Sequence, residues 1–235
     1  YCLWQRDHTD EWGEDTARKY TYDSNYLGVG SKGSVLLPNL RYTWELAFES
    51  GRGPSGDGTA RNDIHAWAVD VQLEYFFDAP MRPRVEFEYL WGSGDKDRST
   101  SSTSTIGGNQ RGRDNAFNAF GFRDTGLAFA PDIANLHIFQ LGAAARPLEH
   151  IELFRKMELG TKVYFYVKDY GGGAISDTGG TVASSWVGWE WDVFCNWRIT
   201  SDLSFTARGG FFQAGDAFDN RECRHFLYAG LTYSF

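Results

Sequence analysis

The sequence predicts an all-β fold, an antiparallel transmembrane β-barrel, and three observations carry that reading. The first is composition: the 235 residues hold 9 Trp, 12 Tyr, 18 Phe and 27 Gly, yet mean hydropathy is −0.45. A soluble core hides aromatics among aliphatic residues, whereas a barrel turns them toward lipid and keeps a polar interior. The second is an apolar/polar alternation of period two that recurs along the chain, as in a strand with different environments on its two faces. The third is that the connections between these segments are alternately long and short. A barrel with long loops at one rim and tight turns at the other requires this sorting, and a soluble sandwich does not.

Taken in order, the candidate strands begin near residues 1–8 and 19–31. LRYTWELAFESG then sets Tyr42, Trp44, Leu46 and Phe48 against Arg41, Thr43, Glu45 and Glu49. DIHAWAVDVQLEYFF sets Trp67, Val69, Val71, Leu73 and Tyr75 against Ala68, Asp70, Gln72 and Glu74. RPRVEFEYLWGSGD sets Val85, Phe87, Tyr89 and Trp91 against Arg84, Glu86 and Glu88. A less regular segment covers residues 134–146, and residues 158–168 set Leu159, Val163, Phe165 and Val167 against Glu158, Lys162, Tyr164 and Lys168.

The clearest alternation is WVGWEWDVFCNWRIT, with Trp189, Trp191, Val193, Cys195 and Trp197 on one row and Glu190, Asp192, Asn196 and Arg198 on the other. Three tryptophans and a row of charges on opposite faces cannot share one dry core; lipid outside and water inside satisfy both. DLSFTARGGFF follows, and the chain closes on LYAGLTYSF, whose Leu231, Tyr233 and Phe235 put aromatics at a membrane interface. This makes about ten strands.

The long connections are expected at residues 8–17, 50–63, 93–132, 169–184 and 214–222, and the short ones at 30–39, 78–83 and 199–202. RPLEHIELFRK (146–156) is intermediate and suits one short helical turn, as does NAFNAFGF (115–122) inside the longest loop. The whole chain, 1–235, reads as one barrel domain with a loop at 94–133.

Several classes are disfavoured. A net charge of −8 opposes a nucleic-acid partner held through phosphates and predicts solvated acidic loops. No apolar run of about 18 residues offers a membrane-spanning helix, which says nothing against strands. The chain has no initiating Met and no signal-peptide pattern, as expected of a mature chain or a piece of one. Cys2, Cys195 and Cys223 lack zinc spacing, leaving free thiols or one disulfide open. His65 and His225 are expected near a lipid-facing rim, but no GxSxG context accompanies them, so no catalytic residue and no enzymatic activity is expected.

The inner row supplies Arg41, Arg84, Arg146, Lys162, Lys168, Arg198, Arg208 and Arg224 as a candidate solute path. Glu45, Glu49, Asp70, Glu74, Glu86, Glu88, Glu158, Glu190 and Asp192 share that row. A ladder of cations suits a polyanion, while the near balance of signs suits cross-strand pairing. Trp44, Trp67, Trp91, Trp189, Trp191, Trp197, Tyr233 and Phe235 are expected to face the membrane, and Tyr164, Tyr166 and Tyr228 to narrow the lumen. Asp95, Asp97 and Asp216 lie in Asp/Gly-rich loops that suit Ca2+ or plain solvation; none matches the twelve-residue calcium loop. Passive transport needs no cofactor.

In this order, IHAWAVDVQLEYFF, RPRVEFEYLWGSGD, NLHIFQLGAAARPLE, MELGTKVYFYV, VGWEWDV and GGFFQAGDAF resemble the alginate-export family of outer-membrane barrels. The resemblance spans nearly the whole chain, and its most specific pieces are SGD after a strand, VGWEWD, and GDAF before the last loop. It implies a bacterial outer-membrane barrel of roughly eighteen strands, of which this chain looks like the C-terminal half. An even ten strands could also close alone. It further implies a channel for an anionic or polar carbohydrate, with long loops such as 94–133 that help gate the pore. The alternatives are a structural barrel that anchors a partner polypeptide, and a cation-preferring general porin that follows from the acidic total. Outer-membrane lipid is the expected surrounding partner in every case.

Overall fold

A computed structural model describes residues 1–7, 21–56, 58–98, 100–101 and 108–235. Among these, ten strands form one sheet: β1 Cys2–Gln5, β2 Asp23–Ser34, β3 Leu40–Pro54, β4 Arg61–Phe76, β5 Arg84–Gly92, β6 Leu136–Ala145, β7 Met157–Lys168, β8 Trp186–Arg198, β9 Leu203–Ala214 and β10 Cys223–Tyr233. They lie side by side in chain order, each antiparallel to the next, as a run of hairpins must. β1 and β10 are the two edges, so the sheet is open among the described residues. The irregular segments near residues 1–8, 19–31 and 134–146 resolve into β1, β2 and β6.

Register turns the alternation of each strand into continuous rows. Tyr42, Leu73, Phe87, Leu141, Val163, Trp191 and Phe211 stand opposite one another from β3 to β9 on one face. One residue along, Thr43, Gln72, Glu88, Gln140, Tyr164, Glu190 and Phe212 make the matching row on the other face. A slip of one residue would exchange the two faces entirely, so the hydrophobic pattern pins the register. The apolar face is openly exposed: Trp191 is 51% accessible and Leu227 is 89%. Such a face suits hydrocarbon, not water.

Trp44 and Trp67 are exposed on this face, and Trp91, Trp189 and Trp197 are half-buried against their neighbours. Tyr233 and Phe235 are exposed with their rings 6.3 Å apart. His65 and His225 lie on the same side, against Phe48 and Phe211. A third histidine, His137, is held between the Tyr89 hydroxyl at 2.8 Å and Asp169 at 3.3 Å. All three cysteines are free thiols. The β7–β8 pairing slips between Tyr166 and Val167, where Gly188 takes φ +143° and an added Cβ would fall 2.3 Å from the Gln213 carbonyl. This bulge needs glycine.

Connections 35–39, 77–83, 146–156 and 199–202 gather at one rim and 55–60, 93–135, 169–185 and 215–222 at the other; the sorting by length is incomplete, since 146–156 is longer than 55–60 and 215–222. Residues 146–156 include the expected helical turn, a 3-10 segment at Glu152–Phe154. One expected long loop is corrected: β3 and β4 stay paired out to Pro54 opposite Arg61, so only 55–60 connect them. Strands that run beyond the hydrocarbon no longer need an apolar side, so alternation stops while the backbone ladder continues. Residues 8–17 lie outside the described residues. NAFNAFGF forms no helical turn; it runs irregularly along the sheet.

The two faces differ measurably in what they tolerate. Val193→Arg, on the apolar face of β8, is expected to destabilise the folded barrel by about 2–4 kcal/mol, whereas Gln72→Lys on the polar face changes stability little. Denaturant unfolding in lipid vesicles reads the difference.

Candidate functional site

The connection between β5 and β6, residues 93–135, folds back over the polar face instead of standing clear of it. Its anchors are mostly wall carboxylates. The Asn118 N–H donates to Glu49 at 2.8 Å, and the Tyr26 hydroxyl donates to the Asn118 carbonyl at 2.9 Å. Arg123 pairs with Asp70 and, at 3.5 Å, with Glu88. Asp124 reverses the polarity by pairing with Lys162 at 2.9 Å. The tightest point is Glu190, whose carboxylate accepts the N–H groups of Leu127, Ala128 and Phe129 at 2.5, 2.7 and 2.8 Å.

Glu190 is fully buried, and a buried carboxylate is tolerated only when its lone pairs are satisfied. Three consecutive N–H groups do this by forming an anion-binding nest. Gly126 starts the nest at φ +118°, where a Cβ would lie 2.5 Å from the Tyr166 hydroxyl.

Apolar packing seals what these bonds position. Phe129 stacks on Phe212 at 4.4 Å and meets Tyr166 edge-on at 5.0 Å, within a buried cluster that includes Leu136, Ile138, Tyr164, Val187 and Phe218. A second cluster joins Tyr22, Tyr26, Ala47, Ile64, Ala66 and Phe117, with both tyrosine hydroxyls on Glu49. The long-loop half of the inner face is therefore dry, a correction to the expected wet, charged interior. Tyr164 and Tyr166 are buried beneath this strap, while Tyr228 is half exposed.

The expected solute-path residues separate into three groups. Lys168 donates to the carbonyls of Gly171, Gly180 and Val182 and so ties down loop 169–185, and Arg224 pairs with Asp177 of that loop while lying over Phe218. Both support the loop: Lys168 is buried, whereas Arg224 stays partly exposed with its guanidinium engaged by Asp177. Arg84 is held by Glu74, Glu86 and Glu158 at 2.9–3.3 Å, Lys162 by Glu86 at 3.0 Å, and Arg146 sits 4.0 Å from Glu158. Asp192 is buried beside Glu190.

The third group is exposed and makes no ion pair among the described residues. It comprises Arg41, which lies 4.7 Å over the Phe76 ring, Arg198 and Arg208, and Lys32, not among the expected path residues, joins them. Sequence reasoning missed Lys32 because GSKGS reads as a turn, whereas β2 carries it opposite Thr43. Lys32 and Arg41 line a cavity of about 370 Å3 with Thr43, Gln72 and Glu74. Arg208 lines another of about 220 Å3 with Asn196, Lys162 and Asp192.

Two of the three candidate calcium ligands are otherwise employed: Asp95 is buried and accepts the N–H groups of Asp97 and Asn115, and Asp216 pairs with Arg221 at 3.0 Å, while Asp97 is held through its backbone, its carbonyl accepting the Gln110 N–H at 3.0 Å. Among the described residues, no group of three His, Cys, Asp or Glu side chains is placed to hold a metal ion. Arg123, Asp124 and the nest were not foreseen as site groups; the local signal was the run Arg123-Asp124-Thr125-Gly126.

A hairpin-built antiparallel sheet with a lipid-matched outer face, a partly wet inner face and its longest loops at one rim is the wall of an outer-membrane β-barrel channel. The chain belongs to the alginate export family, whose model matches residues 1–231, and its location is the bacterial outer membrane. Among solved structures, it is similar to one described as the NanC porin in a rhombohedral crystal form. The identity is 10%, with 90% of this chain and 94% of that chain covered, at a TM-score of 0.40. No curated protein sequence matches the chain.

Glu190→Ala leaves three N–H groups without their acceptor. It is expected to weaken the seating of residues 115–131 by about 3 kcal/mol, seen as faster proteolysis of the strap in an otherwise folded barrel. The loop tie at Asp177 gives a pH test. Burial alone would raise this carboxyl, but hydrogen bonds from Arg224 and the Gly179 N–H outweigh it and hold it below the usual aspartate range. Its stabilisation is therefore complete above the ordinary aspartate value and is lost as pH falls through the lower folded value. Hydrogen exchange at 169–185 is expected to stay slow at neutral pH and to quicken only in strong acid, and Asp177→Asn removes that dependence.

Proposed function

We propose that this outer-membrane channel conducts an anionic, alginate-like polysaccharide that enters at the tight-turn rim. One observation carries the reading. In that half of the inner face Glu74, Glu86 and Glu158 are neutralised by Arg84, Lys162 and Arg146, while Lys32, Arg41, Arg198 and Arg208 remain exposed without ion pairs among the described residues. The sum of charges on the inner row is near balance, but the charge offered to a solute is positive. Fixed cations in a low-dielectric mouth raise the local concentration of a polyanion and lower its entry barrier. Passage is passive, needs no cofactor and includes no catalytic step. The dry strap over the other half narrows the lumen, and in this reading it sets the width that a single chain can pass.

A second reading, a barrel that anchors or scaffolds a partner polypeptide, draws on the same sealed half. Planar-bilayer conductance of the native protein under a salt gradient separates them. The channel reading expects anion-preferring current blocked by polyuronate, and no current at all defeats it. Reversing the mouth charges in a Lys32→Glu, Arg41→Glu, Arg208→Glu variant is expected to raise the half-blocking polyuronate concentration at least about tenfold, or about 1.4 kcal/mol, with strand content unchanged by circular dichroism. A cation-preferring current insensitive to polyuronate would instead fit a general porin.

A further inference from the structure

The tight-turn rim carries apolar side chains that neither the strands nor the channel reading uses. Leu36 is 93% exposed and Leu37 53% in turn 35–39. Phe77 and Met81 in turn 77–83, and Ile151 and Leu153 in turn 146–156, are also exposed. Turns in water favour Gly, Asn, Asp and Ser, especially where φ is positive. Leu36 and Met81 nevertheless hold φ values of 61° and 68°, a conformation uncommon for residues other than glycine. Water gives no reason for large apolar groups at such positions.

Two contacts show which way these turns face. The Phe77 ring packs edge-on against Tyr75 at 4.8 Å and continues the lipid-facing row of β4 past its end. The turn 146–156 leans onto the outer face: Phe154 lies 4.9 Å from Trp197, and the indole N–H of Trp197 donates to the Leu153 carbonyl at 3.0 Å. The fourth turn at this rim, Ile199-Thr200-Ser201-Asp202, shows no such apolar cluster. The apolar tips are thus confined to three turns and run on directly from the membrane-facing band.

We infer that turns 35–39, 77–83 and 146–156 form an apolar foot that sits in the headgroup and acyl boundary of the periplasmic leaflet, the side on which outer-membrane barrels carry their short turns. Its neighbours suit that depth. Arg82 and Arg155 are exposed and meet Glu149 and Glu152 at 3.4 and 3.7 Å, and Lys156 is exposed beside them. Long cationic stems of this kind cover apolar surface while their heads reach the polar layer. The foot fixes the depth of this side of the sheet in the membrane, whereas the 199–202 turn stays in water. This assignment does not depend on which solute the channel carries.

Site-directed nitroxide labelling tests it in the native chain with Cys2→Ser, Cys195→Ser and Cys223→Ser replacements. Labels go on Leu36→Cys, Met81→Cys and Leu153→Cys, with Ser201→Cys as the aqueous reference, in phosphatidylethanolamine/phosphatidylglycerol vesicles. The expected result is a ratio of oxygen to nickel-chelate collision several-fold higher at the three apolar sites than at Ser201→Cys. Collision dominated by the nickel chelate at those sites places the turns in water and overturns the inference. Poor collision with both reagents means that protein covers the turns, and overturns it equally.

Discussion

Hydrocarbon offers a peptide group no hydrogen-bond partner, so every backbone N–H and C=O that crosses the membrane must be satisfied within the protein. The hairpin ladder from β1 to β10 meets this condition strand by strand, and the rest of the structure depends on it. A paired strand points alternate residues to opposite sides, and the register aligns those residues into rows across several strands. One side can then be wholly apolar while the other is polar, with neither choice disturbing the backbone. The same condition explains where regularity stops. Beyond the bilayer, β3 and β4 keep their hydrogen bonds to Pro54 and Arg61 but abandon the apolar row, because water accepts either kind of side chain.

On the inner face, the decisive energetic term is desolvation. Glu49 and Glu190 are fully buried and Asp70 and Glu88 nearly so, and carboxylates in such places are costly unless hydrogen-bonded or paired. The strap meets that need with main-chain N–H groups and Arg123, and in doing so covers the tyrosines and phenylalanines around them. The acids of the long-loop half are thereby occupied with structure. Those nearest the other rim are occupied with Arg84, Lys162 and Arg146. What remains exposed without an ion pair among the described residues at that rim is Lys32, Arg41, Arg198 and Arg208, while the half-buried Glu45 accepts the Tyr1 hydroxyl at 2.6 Å.

Much of this was legible beforehand, because it rests on local geometry. The strands, their outward residues from Trp44 to Phe235, the tight turn at 199–202 and the helical turn in 146–156 all follow from alternation and turn chemistry within a few residues. The inner residues share one face of the sheet for the same reason. Their employment was not legible: nothing local distinguishes Arg224, bound to Asp177, from Arg208, which stays accessible. Lys168 on β7 sits in alternation like any lumen residue, yet three carbonyls of the following loop enclose it.

The sequence by itself therefore determined the fold class, the strand order and the two faces, since period-two alternation acts residue by residue along one strand. Only the tertiary structure decided which charges stay wet. That depends on a segment some sixty residues from Glu190 in the chain returning to donate its N–H groups there, and burial is a property of what finally lies above a side chain.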